Sequence, residues 1–356
     1  MLAVAVGIIL LLNGAELGEG IRRGLSVCFY SVIPSLFPFM ALSVFICKSP
    51  SSIFFEGFFR PVTKLLKIPV SCGGVLLAAI IGGYPSAAKC LNDFVLEQRI
   101  DQKTASKMLC YCVNAGPPFL ITAVGIGVFH NIKTGFIIFI SQIISSVLIA
   151  FFISLFSKER PCSFSQNHKK DCNIASSVVE SVVSGAEGCF RMCAFIILSF
   201  GATEIFLNFV SSSNPIIKAV LSGIIEVTSG VFACKDINGI FSAVLTGAIC
   251  SFSGISVILQ VAAAVDESKI PISSFLISRF FHASITGALV FLFMSISSDS
   301  VSTAVFGKRI YNAALSASAP ASVSLLCMAA LFLLSLVPPK SEKEPLFAWL
   351  LQKFTH

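Results

Sequence analysis

The chain has 356 residues, of which 55% are hydrophobic and only 12% charged, with a net charge of +7 and a mean hydropathy of +0.90. Soluble domains carry about 25% charged residues, so this composition excludes a water-facing globular surface and points to an all-α polytopic membrane protein. The basic residues sit in short loops between apolar runs, the pattern of cytoplasmic loops rather than of a nucleic-acid-binding face.

In chain order, the start "MLAVAVGIILLLNGAELGEG" has no basic residue ahead of its apolar run. It reads as a first short or half-buried helix over 2–13 rather than a removed signal. Runs at 24–47, 134–156, 189–210, 271–297 and 320–338 approach the ~20 apolar residues that span a bilayer. Three more, at 69–83, 108–128 and 238–265, are apolar but interrupted by Gly, Pro, Ser or Asn. A hydrophilic stretch over 157–175 divides the chain. The organisation expected is therefore a first transmembrane repeat with its N-terminal helix (1–156), the linker (157–175), a second repeat (176–297), and a C-terminal transmembrane helix and tail (298–356). Lys89, Arg99, Lys103 and Lys107, and again Lys158, Arg160, Lys169 and Lys170, mark cytoplasmic loops; Lys340, Lys343 and Lys353 mark a cytoplasmic tail. Whether 238–265 crosses once or turns back as a re-entrant hairpin is left open by the sequence.

The thirteen cysteines lie mostly inside apolar runs, with no CxxC pair and no Cys/His cluster of zinc spacing. Neither a disulfide framework nor a metal site is expected, and no cofactor. Enzymatic motifs are absent too: there is no HExxH, GxSxG or Walker A pattern.

Three landmarks recur in the same order in both halves. "GLSVCFYSVIPSLFPF" from Gly24 answers "SGAEGCFRMCAFIILSF" from Ser184, and "AIIGGYPSAAKC" from Ala79 answers "GIIEVTSGVFAC" from Gly223. Last, "CVNAGPPFLITAVGIGV" from Cys112 answers "CSFSGISVILQVAAAV" from Cys250. The order implies two structural repeats with broken helices or re-entrant hairpins. Four breaks fall at membrane depth: Gly82–Pro85, Asn114–Pro118, Glu226–Gly230 and Ser251–Gly254. Non-helical backbone inside a bilayer is tolerated only where protein or water surrounds it, and paired interruptions in two halves point to a transporter's binding site.

The residues of those breaks suggest a chemistry. Pro117 suits a first helical turn, so a half-helix after Asn114 and Gly116 would turn free N–H groups and a positive dipole end into the cavity. Ser251 and Ser253 could cap its counterpart, Lys89 could add a full charge, and Ser256 and Gln260 neutral donors. Such a site favours a small-molecule anion. Each residue also has a plainer reading: Gly82–Pro85 as a surface loop, Lys89 as a snorkelling topology anchor, Asn114 and Ser253 as interhelical hydrogen-bond glue. Glu226 is an intramembrane acid and hence a candidate to bind a coupling proton or sodium. Glu16, Glu187 and Glu204 lie nearer segment ends, and His130 and His282 carry no assigned task.

The motifs "GGYPSAAK" (Gly82–Lys89), "CVNAGPPFLITAVGIGVFHN" (Cys112–Asn131) and "SFSGISVILQ" (Ser251–Gln260) resemble the sporulation integral membrane protein family of YlbJ type, over roughly 20–340. That family belongs to the nucleoside-recognition, or Gate-domain, group. The resemblance implies a fold similar to concentrative nucleoside transporters and a multi-pass protein of the cell membrane or outer forespore membrane of a spore-forming bacterium. It implies a secondary transporter moving dipicolinate during sporulation. By position, Tyr84, Pro85 and Lys89 match the family's first motif, Asn114, Gly116 and Pro117 its second, and Ser251, Gly254, Ser256 and Gln260 its third. The alternatives are a carrier of nucleosides or other polar metabolites, and a non-transporting membrane protein that organises spore maturation.

Overall fold

The computed structural model describes residues 2–49, 52–157, 174–210 and 214–297; the run 320–338 and the basic residues at 158–170 and 340–353 lie outside them. Every regular element among the described residues is helical. Five helices are long and apolar enough to cross a membrane, or six if a bent pair counts as one span. The chain is a multi-pass integral membrane protein.

Helix α1 (Leu2–Leu12) leads into α2 (Gly14–Val27). A π-helical turn at Cys28–Val32 joins α2 to α3 (Ile33–Lys48) without a break, giving one 35-residue span. Pro38 lies inside α3, where its missing N–H removes a backbone bond; the wider π turn just upstream is the kind of irregularity found at functional positions. Next, α4 (Ser52–Leu65) meets α5 (Gly73–Ile81) at a 114° bend. Helix α6 (Tyr84–Leu96) turns straight back from α5 through Gly82-Gly83, where Gly83 takes φ +78°. Helix α7 (Gln102–Cys112) starts at Asp101, whose side chain accepts from the Thr104 amide. Non-helical residues 113–117 separate it from a π-helical segment, Pro118–Ile126. Asn131 then caps the long α8 (Ile132–Phe156).

The second half begins with α9 (Ile174–Val210), 37 residues and about 55 Å long. A short pair follows, α10 (Pro215–Ile225) and α11 (Val227–Ala233), hinged at Glu226. Helices α12 (Ile240–Phe252) and α13 (Gly254–Val265) together run 26 residues as one crossing broken at Ser253. So 238–265 crosses rather than turning back. Helix α14 (Ser273–Ile296) completes the set.

Contacts between ends sort the helices by face. On one face, Lys67 Nζ donates to the Ser154 and Ser157 carbonyls at 2.9 and 3.1 Å. Gln102 Nε2 donates to the Ser268 carbonyl at 2.8 Å, and Lys48 Nζ lies 2.6 Å from Glu180 and 3.4 Å from Asp93. On the other, Arg23 Nη1 pairs with Glu204 at 2.6 Å and Asn208 reaches Glu16 at 3.2 Å. The hairpin α5–α6 therefore opens on the first face and α10–α11 on the second, while α7 with its π segment and α12–α13 cross in opposite directions.

The long span α2–α3 packs along α9 through small residues, as suits helices that gain no hydrophobic drive from lipid. A Cβ on Gly20 would lie 2.6 Å from the Phe200 carbonyl, on Gly24 2.9 Å from Ile197 Cα, and on Gly185 2.8 Å from the Ala41 amide nitrogen. Large side chains such as Phe136, Phe152, Phe190 and Phe281 are exposed around the outside, where a bilayer would cover them.

Candidate functional site

Three of the four interruptions converge. Gly82, Gly83, Tyr84 and Pro85 from the first hairpin, Gly116 from the first crossing, and Glu226 and Thr228 from the second hairpin line one cavity, joined by Gln260 of α13, while the fourth break at Ser251–Gly254 does not line it. Apolar residues of α3 and α9, among them Leu36, Met40, Met192 and Ile196, close its remaining wall. The space open to the centres of water-sized molecules is about 30 Å³. One water needs roughly 10–15 Å³ by the same measure, so the cavity holds two or three waters and no larger solute.

Close backbone approach builds the meeting point. A Cβ on Gly116 would lie 3.2 Å from the Ile81 carbonyl and 3.3 Å from the Gly83 amide nitrogen; one on Gly254 would lie 2.8 Å from the Gly223 carbonyl. Tyr84, 8% exposed, sends its hydroxyl across the halves to donate to the Cys250 carbonyl at 2.6 Å, one of the orphan acceptors in the last turn of α12. No side-chain cap bond forms at the start of α6 among the described residues, and its first two residues, Tyr84 and Pro85, line the cavity.

Glu226 is 2% exposed, and its Oε2 accepts from the Ser229 amide at 2.6 Å. The carboxylate thereby caps α11, where a negative group suits the positive helix end. It is the only ionisable carboxyl among the lining residues, and no lysine or arginine joins it there. Gln260 donates to Ser256 Oγ at 3.3 Å, while its own Oε1, buried, meets no partner among the described residues.

Several residues expected at the site stand elsewhere. Lys89 does not line the cavity: it lies a turn along α6 from Pro85, 30% exposed, with Nζ 3.8 Å from Glu187 of α9. Asn114 turns away into a buried network, donating to the Tyr111 carbonyl at 2.9 Å, with its Oδ1 2.9 Å from Ser146 Oγ. Pro117 begins the turn that leads into the π segment without lining the cavity. Ser251 and Ser253 do not cap α13. Ser251 Oγ donates to Thr286 at 2.8 Å, and Ser253 sits in the left-handed region at φ +79° with no side-chain cap bond. Gly254 packs on the α10 carbonyls, and Ser256 supports Gln260 from behind.

One residue central to this architecture was absent from the sequence-level candidates. Arg279, on α14, is 0% exposed. Its Nη1 donates to the Val113 carbonyl at 2.8 Å and points at the Ser251 carbonyl at 3.5 Å, and its Nη2 donates to the Cys110 carbonyl. The guanidinium thus joins the C-terminal ends of α7 and α12, the two negative helix ends that face each other at mid-depth. The Phe275 ring lies 4.7 Å from the guanidinium carbon, Ser278 Oγ 3.4 Å from Nη2, and Nε meets no partner among the described residues. One turn on, His282 Nε2 lies 3.2 Å from Ser146 Oγ and 3.2 Å from the Gln142 carbonyl, tying α14 to α8. The signal that could have found Arg279 was available: an ionisable residue inside a membrane run is a functional candidate by default.

Against known proteins, no protein-family profile matches the chain, and no solved structure matches it. A protein named sporulation integral membrane protein YlbJ, from Bacillus subtilis (strain 168), is 22% identical over 302 residues, covering 73% of this chain and 73% of that protein. This similarity supports a YlbJ-type family for the chain.

Proposed function

We propose that the chain is a secondary transporter whose solute crosses the bilayer through the cavity where three of the interruptions meet. The observation that carries this reading is the convergence itself: two hairpin tips from opposite faces and the break of the first crossing at one cavity, with Gln260 of the second crossing beside them. Unsupported breaks at mid-membrane cost several kcal/mol, so a fold that concentrates three of them favours a role beyond packing. The order long helix, hairpin, broken crossing, long helix runs twice, with the two hairpins opening on opposite faces. That order favours inverted repeats of the kind found in concentrative nucleoside transporters.

The solute we propose is a small organic anion, dipicolinate being the first candidate because of the motif resemblance and the sporulation name of the relative. The outer forespore membrane is then the place of action. The start of α6, which has no side-chain cap and contributes Tyr84 and Pro85 to the cavity wall, favours a carboxylate through its positive helix end. Glu226 does not, unless it carries a proton: two like charges in one dry cavity repel strongly. Anion entry therefore goes with protonation of Glu226, and the coupling ion is a proton moving in the same direction. The second reading, a neutral nucleoside or other polar metabolite, draws on Gln260 Oε1 and Thr228 in a cavity that contains no basic side chain.

The test is uptake by the purified protein in liposomes. Labelled dipicolinate should accumulate, faster with an inward proton gradient, and excess nucleoside should not compete. Nucleoside uptake without dipicolinate uptake selects the second reading. Uptake of neither leaves a structural role in spore maturation and removes the carrier.

A further inference from the structure

Helix α4 has three different faces. Phe59 packs on the core and Thr63 is 0% exposed, with Leu66 just past the helix end buried as well. A second face bears Phe54, Phe58, Val62 and Leu65, exposed by 64, 69, 39 and 58%. Their spacing of four, four and three places them on one side of the helix. The third face bears Arg60 and Lys64, one turn apart, both exposed and neither in an ion pair among the described residues. The 114° bend to α5 lays α4 across the bundle where α5 enters it.

Its position is held from three sides. Glu56 pairs with Arg99 at 3.5 Å, Lys67 holds the end of α8 through the Ser154 and Ser157 carbonyls, and the start of α5 approaches so closely that a Cβ on Gly73 would lie 2.8 Å from the Phe55 carbonyl. The face of the bundle that carries α4 also gathers Lys48, Lys67, Arg99 and Lys107. A concentration of basic residues marks the cytoplasmic side, whose leaflet carries anionic lipid.

We propose that α4 is a docking surface for anionic phospholipid: Phe54, Phe58, Val62 and Leu65 enter the acyl boundary while Arg60 and Lys64 hold headgroup phosphate oxygens. Apolar and basic faces side by side on a helix lying in the interface are the chemistry of that environment. Because α4 is fixed to the base of the hairpin whose tip is Gly82–Pro85, the bound headgroups also set the depth at which that hairpin stands. The inference does not depend on what the cavity carries.

The experiment places a single fluorophore on the apolar face. The chain has one tryptophan, so Phe58→Trp in a Trp349→Phe background reports from α4 alone. The protein goes into phosphatidylcholine liposomes doped with brominated phosphatidylglycerol or with brominated phosphatidylcholine. Both lipids should quench, the anionic one with a several-fold preference, since each basic residue at such a surface adds roughly fivefold in association. Arg60→Gln with Lys64→Gln should bring the two lipids to equality while quenching by the neutral lipid persists, which shows that the helix is still seated. No quenching by either lipid overturns the proposal and puts water or a second copy of the chain on this face. Equal quenching in the parent, or a preference that survives the double substitution, overturns the headgroup assignment.

Discussion

The two junctions at the cavity solve the same problem by different means. In the first half, Gly83 at φ +78° and Gly116 bring backbone against backbone, with Pro85 and Pro117 in first-turn positions where no amide is lost. Nothing there is charged, and the start of α6 is left uncapped. In the second half, a carboxylate caps the returning helix, and the break between α12 and α13 is carried by Ser253 and Gly254, both at positive φ. The two halves thus give the cavity one uncharged wall and one acidic wall. The pair teaches that breaks of similar backbone need not share a chemistry, and that the one ionisable carboxyl among the lining residues belongs to the second half.

The largest expected effect comes from removing what holds both junctions together. Arg279→Met would leave the Cys110, Val113 and Ser251 carbonyls without their donor, and a buried unsatisfied acceptor costs about 1–3 kcal/mol. The variant should lose much of its thermal stability in detergent, followed by the melting of a fluorescent fusion on a sizing column. Arg279→Lys should recover only part, because one ammonium cannot fork to acceptors on two helices. A melting temperature equal to that of the parent would show that the two half-helix ends do not need the bridge.

Glycine substitutions compare the junctions directly. A Cβ on Gly254 meets a backbone carbonyl at 2.8 Å at φ +60°, whereas one on Gly116 meets its nearest atom at 3.2 Å, with φ outside the left-handed range. Gly254→Ala should therefore cost about 1–3 kcal/mol through strain and displacement, and Gly116→Ala less than about 1 kcal/mol. The same melting assay reads both. Equal losses would mean that the second junction is as tolerant as the first.

The breaks were legible in the sequence because they are backbone events, and Gly, Pro and Asn announce backbone events. The hairpin at Gly82–Pro85 and the interruption at Asn114–Pro118 follow from those residues alone. Side-chain placement was less legible. Lys89 is four residues from Pro85, near in sequence, yet on a helix that distance is one turn, about 6 Å towards the membrane surface. Ser253 looked like a cap, but its left-handed backbone turns it into a hinge. Arg279 was hidden by its setting: in "SSFLISRFFHASITGALVF" a lone arginine reads as tolerated, and only the fold shows two helix ends aimed at it. Similarly, the apolar run over 189–210 marked only the later part of α9, because Glu180 and Glu187 lower the hydropathy ahead of it. They pair instead with Lys48 and Lys89.

Glu226→Gln tests the charge difference between the junctions. Glutamine retains an acceptor for the Ser229 amide, so the cap and the stability should be kept nearly intact. What changes is titration. In the parent, anion uptake should rise as pH falls, because protonated Glu226 no longer repels the solute; in the variant, uptake should be several-fold less sensitive to pH and to an imposed proton gradient. Identical pH profiles would remove Glu226 from coupling and leave it a helix cap.

The smallest effect is expected at Lys89. From sequence, Lys89→Gln should cripple transport of a dicarboxylate, since this lysine was the full positive charge assigned to the site. The structure moves it out of the cavity and pairs it with Glu187 at 3.8 Å on a partly exposed flank. Such pairs contribute about 0.2–1 kcal/mol, and at this separation the lower end applies. Stability should be unchanged and uptake should stay within about twofold, the change that 0.4 kcal/mol produces. A near-complete loss of uptake in a variant that still folds would mean that Lys89 leaves Glu187 and turns into the solute path during the cycle. The first junction would then gain the charge it lacks in this structure, and the contrast between the halves would hold only for this arrangement.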